Sequence, residues 1–93
     1  MRIIAGRFKG RRLLPVPGDT VRSTADRVKE SLFNILAAEL PGASVLDLFC
    51  GAGTLGLEAL SRGAERAIFV DQSRRSLNRT ADNAAALGLT PTV

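Results

Sequence analysis

The sequence predicts an α/β fold built on a parallel β-sheet. Two short segments, residues 44–49 and 66–71, are typical of buried parallel strands because they consist largely of hydrophobic residues. Each segment precedes a stretch with helical periodicity, so the order strand–helix–strand–helix predicts right-handed crossover connections. A glycine-rich turn joins the first strand to its helix. The 93 residues are sufficient for one small domain.

The first 21 residues, which we call the arm, are predicted to form a basic β-hairpin. Apolar stretches at residues 2–5 and 11–16 surround a connection with a glycine at each end, Gly6 and Gly10, and glycine favours a tight turn. Two prolines, Pro15 and Pro17, then interrupt regular structure. Residues 22–93 are assigned to a second unit, the N-terminal part of the α/β domain.

A helix is predicted to follow the arm and to end before Pro41 and Gly42. Ser23, with an acidic residue three positions later at Asp26, is a variant of the capping box that marks helix N-termini. Apolar side chains then recur at helical spacing, which predicts one buried face. The residues predicted to form that face are Val28, Leu32, Ile35, Leu36 and Leu40.

Two crossover helices are predicted at residues 54–62 and 73–87. Gly63 and Gly88, just beyond their last turns, are typical C-terminal caps, and Ser73 is a typical N-terminal cap. The side chains of the second helix predicted to face the sheet are Leu77, Ala81, Ala84 and Leu87. Residues 90–93 are compatible with the start of a third strand.

The positive charge of the chain is concentrated in its first third. Residues 1–30 contain eight basic and three acidic residues, whereas residues 31–93 contain five basic and six acidic residues. The net charge of +4 therefore comes from the N-terminal region. Such asymmetry is typical of a segment that binds a polyanion, although a solvated basic surface would give the same counts.

The cysteine content and the hydropathy favour a cytoplasmic protein. A single cysteine, Cys50, excludes an internal disulfide and provides no cluster of metal ligands, which fits a reducing compartment. The N-terminus is too short and too charged for a signal peptide, and no apolar run approaches the ~20 residues of a membrane span. We therefore expect a cytoplasmic protein without a bound metal.

The most informative motif is GAGTLG at residues 51–56, which satisfies the pattern G-x-G-x-x-G. It follows a predicted strand and begins a predicted helix, and Asp71 lies twenty residues after Gly51 at the end of the next strand. In this context glycine backbone approaches a nucleotide cofactor closely, and the acidic side chain accepts hydrogen bonds from the ribose hydroxyls. These features suit NAD and S-adenosylmethionine equally, and an accidental glycine turn is the alternative.

Asp47 favours S-adenosylmethionine over a dinucleotide. It lies within the predicted strand, four residues before Gly51, near the floor of the loop. A dinucleotide would place its pyrophosphate close to this carboxylate, and the like charges would repel each other. The sulfonium and ammonium groups of S-adenosylmethionine would instead be attracted. Because buried acids are rare unless paired, the alternative is a carboxylate satisfied by neighbouring backbone amides.

Three stretches of the chain resemble the bacterial ribosomal RNA guanine-N2 methyltransferases of the RsmD type. DLFCGAGTLGLEALSRGA at residues 47–64 is similar to the first motif of that family, and RIIAGRFKGRRL at residues 2–13 is similar to its opening hairpin. RSTADRVKESLFN at residues 22–34 is similar to its arginine-proline-threonine helix signature, with Ser23 in place of the usual proline. The resemblance covers nearly the whole chain. It implies the first strand–helix–strand–helix units of a Rossmann-like class I methyltransferase sheet, here truncated.

The resemblance implies an S-adenosylmethionine-dependent enzyme that methylates the exocyclic N2 of a guanine in small-subunit ribosomal RNA. The residues implied for cofactor binding are Asp47, Phe49, Gly51, Ala52, Gly53, Thr54 and Gly56 for the methionine part, Asp71 for the ribose, and Thr24 and Arg27 near the carboxylate. The residues implied for contacts with RNA phosphates are Arg2, Arg7, Lys9, Arg11, Arg12 and Arg22. Phe8 would either stack on a base or pack beneath the hairpin.

The catalytic motif of the family has no counterpart in these 93 residues. That motif is an Asp or Asn followed by Pro-Pro and an aromatic residue, and the Asp82-Asn83 pair does not replace it because it lies within a predicted helix. The resemblance therefore implies an N-terminal fragment without catalytic residues and with little or no activity alone. The uncovered edge of a truncated sheet would also favour self-association.

Three other functions remain open at this point. A methyltransferase for a small molecule or a protein would need the loop but not the basic arm. A nicotinamide-dependent oxidoreductase would use the loop and Asp71, although Asp47 argues against it. A non-catalytic RNA-binding module would depend on the arm alone.

Overall fold

The computed structural model describes residues 2–16 and 26–89, and it confirms the α/β prediction. A two-stranded parallel sheet pairs β1 (Ser44–Leu48) with β2 (Arg66–Val70) over their full length. Crossover helix α2 (Thr54–Ser61) joins the strands, and α3 (Arg74–Ala86) follows the second strand. The predicted boundaries of these two strands and two helices therefore agree with the structure to within one residue.

Helix α1 (Asp26–Leu36) precedes the sheet and continues into a short 3-10 turn (Ala37–Glu39). The predicted capping residue Ser23 and the possible third strand at residues 90–93 lie outside the described residues. No helix within residues 2–16 and 26–89 is long and apolar enough to cross a membrane.

The arm folds back on itself with less strand structure than the sequence predicts. One antiparallel bridge joins Arg2 to Arg12, and Gly10 N donates a hydrogen bond to the carbonyl of Ile3 at 2.8 Å. Between these points the chain forms a tight turn in which Lys9 N donates to Gly6 O. The turn uses the backbone groups that a longer ladder would need, so the hairpin is a single bridge around a turn.

The arm shares one hydrophobic core with the sheet. Ile3, Phe8 and Leu13 are buried in the same cluster as Leu57 of α2 and Phe69 of β2. Phe8 is only 8% exposed, so it packs beneath the hairpin and is not available to stack on a base. The described part of the arm is therefore fixed against the α/β unit by packing.

The predicted core face of α1 is wrong at three of its five positions. The exposed residues are Val28, Leu32 and Ile35, the last of them at 80%. Leu40 is buried as expected, and Leu36 is partly buried. The helix instead turns Lys29 and Phe33 inward, because the Lys29 ammonium finds acceptors inside the protein. The apolar stripe is broad enough to cover two neighbouring faces of the helix, and only one of these faces packs against the rest of the described protein.

The buried face of α3 is more polar than the sequence predicts. Ala84 and Leu87 face the core and Leu77 is partly buried, but the prediction for Ala81 is wrong because it is exposed. The polar residues buried on this face are Ser76, Thr80 and Asn83. They are there because α3 packs against the backbone of the turn between β1 and α2, whose carbonyl groups need hydrogen-bond donors.

Candidate functional site

The glycine loop, which we define as residues 49–56, begins at the carboxyl end of β1. Phe49 has a φ of 56°, which is rare for a bulky residue, and its side chain is 85% exposed. At the other end of the loop, Gly53 adopts φ 85° as the residue that precedes α2, and Thr54 is buried in the first turn. An exposed aromatic side chain held in a strained backbone conformation is a feature of functional sites.

The three glycines of the motif have different structural roles. A Cβ at Gly51 would meet no atom within 4 Å, so this backbone faces open space above the loop. A Cβ at Gly53 would lie 2.9 Å from a methyl carbon of Thr80, and one at Gly56 would overlap the ring of Phe69. The first glycine therefore leaves room for a ligand, and the other two allow α2 to pack closely on α3 and the sheet.

Asp71 lies beside the loop, as the spacing of the motif predicts. One carboxylate oxygen accepts a hydrogen bond from Gly51 N at 3.0 Å, and the other accepts one from Ser73 N at 2.8 Å. These two backbone amides fix the orientation of the carboxylate. Each oxygen retains a lone pair that can accept a hydrogen bond from a ribose hydroxyl.

Asp47 is buried beneath the loop, with only 6% of its surface exposed. One of its oxygens accepts a hydrogen bond from Gly56 N at 3.0 Å, and within the described chain its other oxygen has no hydrogen bond. Loss of solvation raises the pKa of Asp47, and the nearby charge of Asp71 raises it further, while the bond from Gly56 N opposes both. The backbone thus satisfies half of this carboxylate, and a cation would stabilise its ionised form.

Two polar side chains of α3 hold the loop, and neither is among the site residues predicted from the sequence. Thr80 Oγ1 donates to the carbonyl of Gly51 at 2.8 Å, and Asn83 Nδ2 donates to the carbonyl of Ala52 at 2.9 Å. Their spacing of three residues places them on one helical face with Ala84, which is the signal that could have identified them. These hydrogen bonds fix the backbone of the loop, but they do not by themselves indicate which ligand the loop binds.

Asn83 also joins the arm to the loop. Its Oδ1 accepts a hydrogen bond from Leu14 N at 2.8 Å, and its Nδ2 donates to the carbonyl of Leu14 at 2.9 Å. The same Nδ2 contacts Ala52 in the loop. A single buried side chain therefore holds the backbones of both predicted binding regions.

A buried ionic network fixes the arm to α2. Glu58 is fully buried, and its two oxygens accept hydrogen bonds from the arm backbone, from Ile4 N at 2.9 Å and Ala5 N at 3.2 Å. Lys29 Nζ lies 3.4 Å from one oxygen, and Arg62 Nε lies 2.8 Å from the other. Burial by itself would raise the pKa of Glu58, but these hydrogen bonds and the Lys29 charge together lower it.

The basic residues of the arm are exposed but differ in their contacts. Within the described residues, those predicted to contact RNA are Arg2, Arg7, Lys9, Arg11 and Arg12, and all are at the surface. The guanidinium of Arg7 lies 4.8 Å from the centroid of the Phe8 ring, and Arg11 Nη2 donates to the carbonyl of Ala86 at 2.6 Å. Arg2 and Arg12 face each other across the bridge.

Of the residues predicted for the carboxylate end of the cofactor, Arg27 lies within the described part of the chain. Arg27 is exposed on the first turn of α1, and no hydrogen bond or ion pair joins it to the loop there. Thr24 and Arg22 lie outside the described residues. Their roles stay predictions.

A first parallel strand that ends in a glycine loop, with an acid at the end of the second strand, is the arrangement of a Rossmann-like α/β fold. The family model described as conserved hypothetical protein 95 matches residues 1–93. The chain therefore belongs to that family.

Curated relatives support this assignment over almost the whole chain. Ribosomal RNA small subunit methyltransferase D of Escherichia coli K12 is 47% identical over 88 residues, which are 94% of this chain and 44% of the relative. The Haemophilus influenzae protein of the same name is 41% identical over 87 residues, 94% of this chain and 45% of the relative. The Bacillus subtilis protein YlbH is 48% identical over 90 residues, 97% of this chain and 49% of the relative. The chain thus spans about half the length of the curated relatives it matches.

Solved structures show the same fold. The Escherichia coli protein yhhF superposes with a TM-score of 0.83 at 40% identity, covering 99% of this chain and 52% of that one. A hypothetical protein of Thermus thermophilus gives a TM-score of 0.86 at 32% identity, covering 100% of this chain and 53% of that one.

Proposed function

We propose that this chain provides the cofactor-binding part and the RNA-contacting arm of an S-adenosylmethionine-dependent methyltransferase. The proposed reaction is methylation of the exocyclic N2 of a guanine in small-subunit ribosomal RNA. Relatives named ribosomal RNA small subunit methyltransferase D support this class of substrate. Because the chain covers about half of their length, the reaction is proposed for a protein that joins this chain to a catalytic motif.

The observation that supports the choice of cofactor is the buried carboxylate of Asp47. A pyrophosphate above the glycine loop would face this like charge across a poorly solvated gap. The ammonium and sulfonium groups of S-adenosylmethionine would instead stabilise the ionised carboxylate. Burial disfavours this ionised form and thereby raises the pKa of Asp47. The oxygen of Asp47 that lacks a hydrogen bond within the described residues is available for such a contact.

The surrounding residues support the same cofactor. The open space above Gly51 can hold the methionine part, and the fixed carboxylate of Asp71 can accept the ribose hydroxyls. The predicted contributions of Phe49, Thr24 and Arg27 belong to this proposal. The bound cofactor would supply a methyl group that passes from sulfur to the guanine nitrogen, which loses a proton. This chain would bind and orient the reactants, and it would not need to supply a general base.

The arm is proposed to hold the RNA while the loop holds the cofactor. Glu58 fixes the arm to α2, which begins at the loop, and Asn83 joins the arm to the loop directly. The two binding regions therefore form one unit, and a substrate held by the arm would keep its position relative to the cofactor. Phosphate contacts of this kind position RNA without reading its sequence, and they weaken as salt increases.

The test of the cofactor assignment is isothermal titration calorimetry of this chain with S-adenosylhomocysteine and with NADH. We expect S-adenosylhomocysteine to bind, because it retains the ammonium and the ribose, and we expect NADH to bind far more weakly. Tight binding of NADH would identify an oxidoreductase domain instead. If S-adenosylhomocysteine bound but ribosomal RNA did not, even at low salt, a small-molecule or protein methyltransferase would be favoured. RNA binding without S-adenosylhomocysteine binding would indicate a non-catalytic module.

A further inference from the structure

A surface pocket of about 420 Å³ lies on the arm, and none of the described residues that line it belongs to the glycine loop. Its lining residues are Arg2, Gly10, Arg12, Leu13, Leu14 and Pro15. The volume lies within the range of about 300–1,000 Å³ that is typical of small-molecule sites. The pocket combines two basic side chains with an apolar side. These two parts suit a ligand that has an anionic portion and an apolar portion.

The basic part of the pocket is the pair Arg2 and Arg12. The hydrogen bond from Ile3 N to Arg11 O, at 2.9 Å, lies beside their bridge, so the two arginines form a non-hydrogen-bonded cross-strand pair. In such pairs the Cβ atoms are about 4.5–5.5 Å apart on one face, and like charges destabilise the pairing. Neither guanidinium is paired with a carboxylate in the described part of the chain. An anion between them would remove the repulsion.

The backbone around this pair is held in place. Lys29 Nζ, itself fully buried, donates a hydrogen bond to the carbonyl of Arg2 at 2.9 Å. Arg11, by contrast, is already bonded to the carbonyl of Ala86. Within residues 2–16 and 26–89, the two arginines of the bridge therefore have guanidinium groups without a carboxylate partner on fixed backbone positions, which lowers the entropic cost of binding.

The apolar part of the pocket consists of Leu14 and Pro15. The side chain of Leu14 is 48% exposed, although both backbone polar groups of this residue are bound by Asn83. An exposed apolar side chain on an immobilised backbone can pack against a sugar or a base at little entropic cost. Phosphate on one side and nucleoside on the other match the two halves of the pocket.

We propose that this pocket binds one nucleotide of the RNA chain, with its phosphodiester between Arg2 and Arg12 and its nucleoside against Leu14 and Pro15. The proposal rests on the proposed function, because it refines how the arm would contact RNA. It separates the two bridge arginines, which would bind RNA directly, from Arg11, whose guanidinium is already bonded to the protein.

The experiment is fluorescence anisotropy with a short labelled single-stranded RNA of mixed sequence, titrated with this chain between 50 and 200 mM salt. The test variant is Arg2→Ala/Arg12→Ala, and Arg2→Lys/Arg12→Lys retains the charge. Arg66→Ala is the matched control, because it removes an exposed arginine at the start of β2. Thermal unfolding of each variant measures the fold separately, and loss of the facing charges should leave Tm unchanged or higher.

We expect the double alanine variant to bind RNA about tenfold more weakly or worse, since two charge-assisted contacts are lost. Its plot of log affinity against log salt should flatten by about 0.7, because the two arginines share one phosphate in the proposed site. The lysine variant should keep most of that slope, Arg66→Ala should match the unchanged chain, and guanosine monophosphate should compete better than inorganic phosphate.

Four results would overturn the proposal. Wild-type affinity and slope in the double alanine variant would show that the RNA contacts lie elsewhere, while leaving the S-adenosylhomocysteine test of the proposed function untouched. Equal competition by inorganic phosphate and guanosine monophosphate would show that the pocket does not bind the nucleoside. Competition by polyglutamate as strong as by RNA of the same charge would indicate an acidic protein partner. Absence of RNA binding by the unchanged chain would contradict the RNA part of the proposed function as well.

Discussion

Replacing Glu58 with glutamine should destabilise the protein severely. The carboxylate of Glu58 accepts two backbone hydrogen bonds from the arm and is the ionic partner of Lys29 and Arg62. A glutamine of the same size has only one acceptor oxygen. Its NH2 group would take the place of the other carboxylate oxygen and would face a hydrogen-bond donor, with which it cannot form a hydrogen bond. The ammonium of Lys29, which is fully buried, would lose its counterion.

The expected cost follows from the burial of the pair. Removal of one partner from a buried ion pair costs about 3–5 kcal/mol, because the other charge stays in the interior uncompensated. A natural domain of 93 residues has a free energy of unfolding of about 5–14 kcal/mol. Glu58→Gln should therefore remove about a fifth of the stability or more. Replacement of both charges, as in Lys29→Met/Glu58→Gln, should cost much less than the two single changes together.

Urea unfolding followed by circular dichroism measures each variant, with exposed Glu65→Gln as the control. The double-mutant cycle should give a coupling of at least about 1 kcal/mol between Lys29 and Glu58. A cost below about 1 kcal/mol for Glu58→Gln, or single changes that add without coupling, would refute the view that this network fixes the arm.

The pH dependence, the strained Phe49 and the uncovered sheet face lead to further expected outcomes. Because the native pKa of Glu58 lies below its ordinary value of 4.5, its stabilisation is complete above about pH 4.5 and is lost as the pH falls through the native pKa. Urea titrations across acid pH should show this loss, and Glu58→Gln should not. Phe49→Asn should raise the free energy of unfolding by about 1 kcal/mol, because asparagine tolerates a positive φ, yet weaken S-adenosylhomocysteine binding in calorimetry; unchanged affinity would exclude Phe49 from the site. Sedimentation velocity should show concentration-dependent self-association, because one sheet face exposes Leu46, Leu48, Ile68 and Val70; a monomer at high concentration would contradict this.

The α/β unit and its loop could be predicted because local signals determine them. Apolar strands, the caps at Ser73 and Gly63, and the spacing from Gly51 to Asp71 are all encoded within about 30 neighbouring residues. The carboxylate of Asp71 lies beside the loop, where it accepts a hydrogen bond from Gly51 N, and the carboxylate of Asp47 accepts one from Gly56 N. Features of this kind depend little on distant parts of the chain.

The orientation of α1 could not be predicted, because it depends on a distant partner. Lys29 is buried only because Glu58, which is 29 residues later, supplies a carboxylate, and this contact turns Val28 and Ile35 outward. Thr80 and Asn83 are buried for the same kind of reason, since they donate hydrogen bonds to carbonyl groups of a loop about 30 residues away. Periodicity shows which side chains are apolar, but it does not show which polar side chains have partners inside.

The most direct test of the proposed cofactor site is calorimetry of Asp47→Asn with S-adenosylhomocysteine at neutral pH. Asparagine can still accept the hydrogen bond from Gly56 N, and it removes a carboxylate whose raised pKa shows that its ionised form is disfavoured in the fold. Because the native pKa of Asp47 is raised, the ionised carboxylate destabilises the fold increasingly as the pH rises through that pKa. Asp47→Asn, which carries no charge, should therefore unfold at the same temperature as the unchanged chain or at a higher one. Its affinity should nevertheless fall about tenfold to a hundredfold, the loss expected for a hydrogen bond between charged groups. Unchanged affinity for S-adenosylhomocysteine in Asp47→Asn, with the fold intact, would contradict the proposed role of Asp47 in cofactor binding.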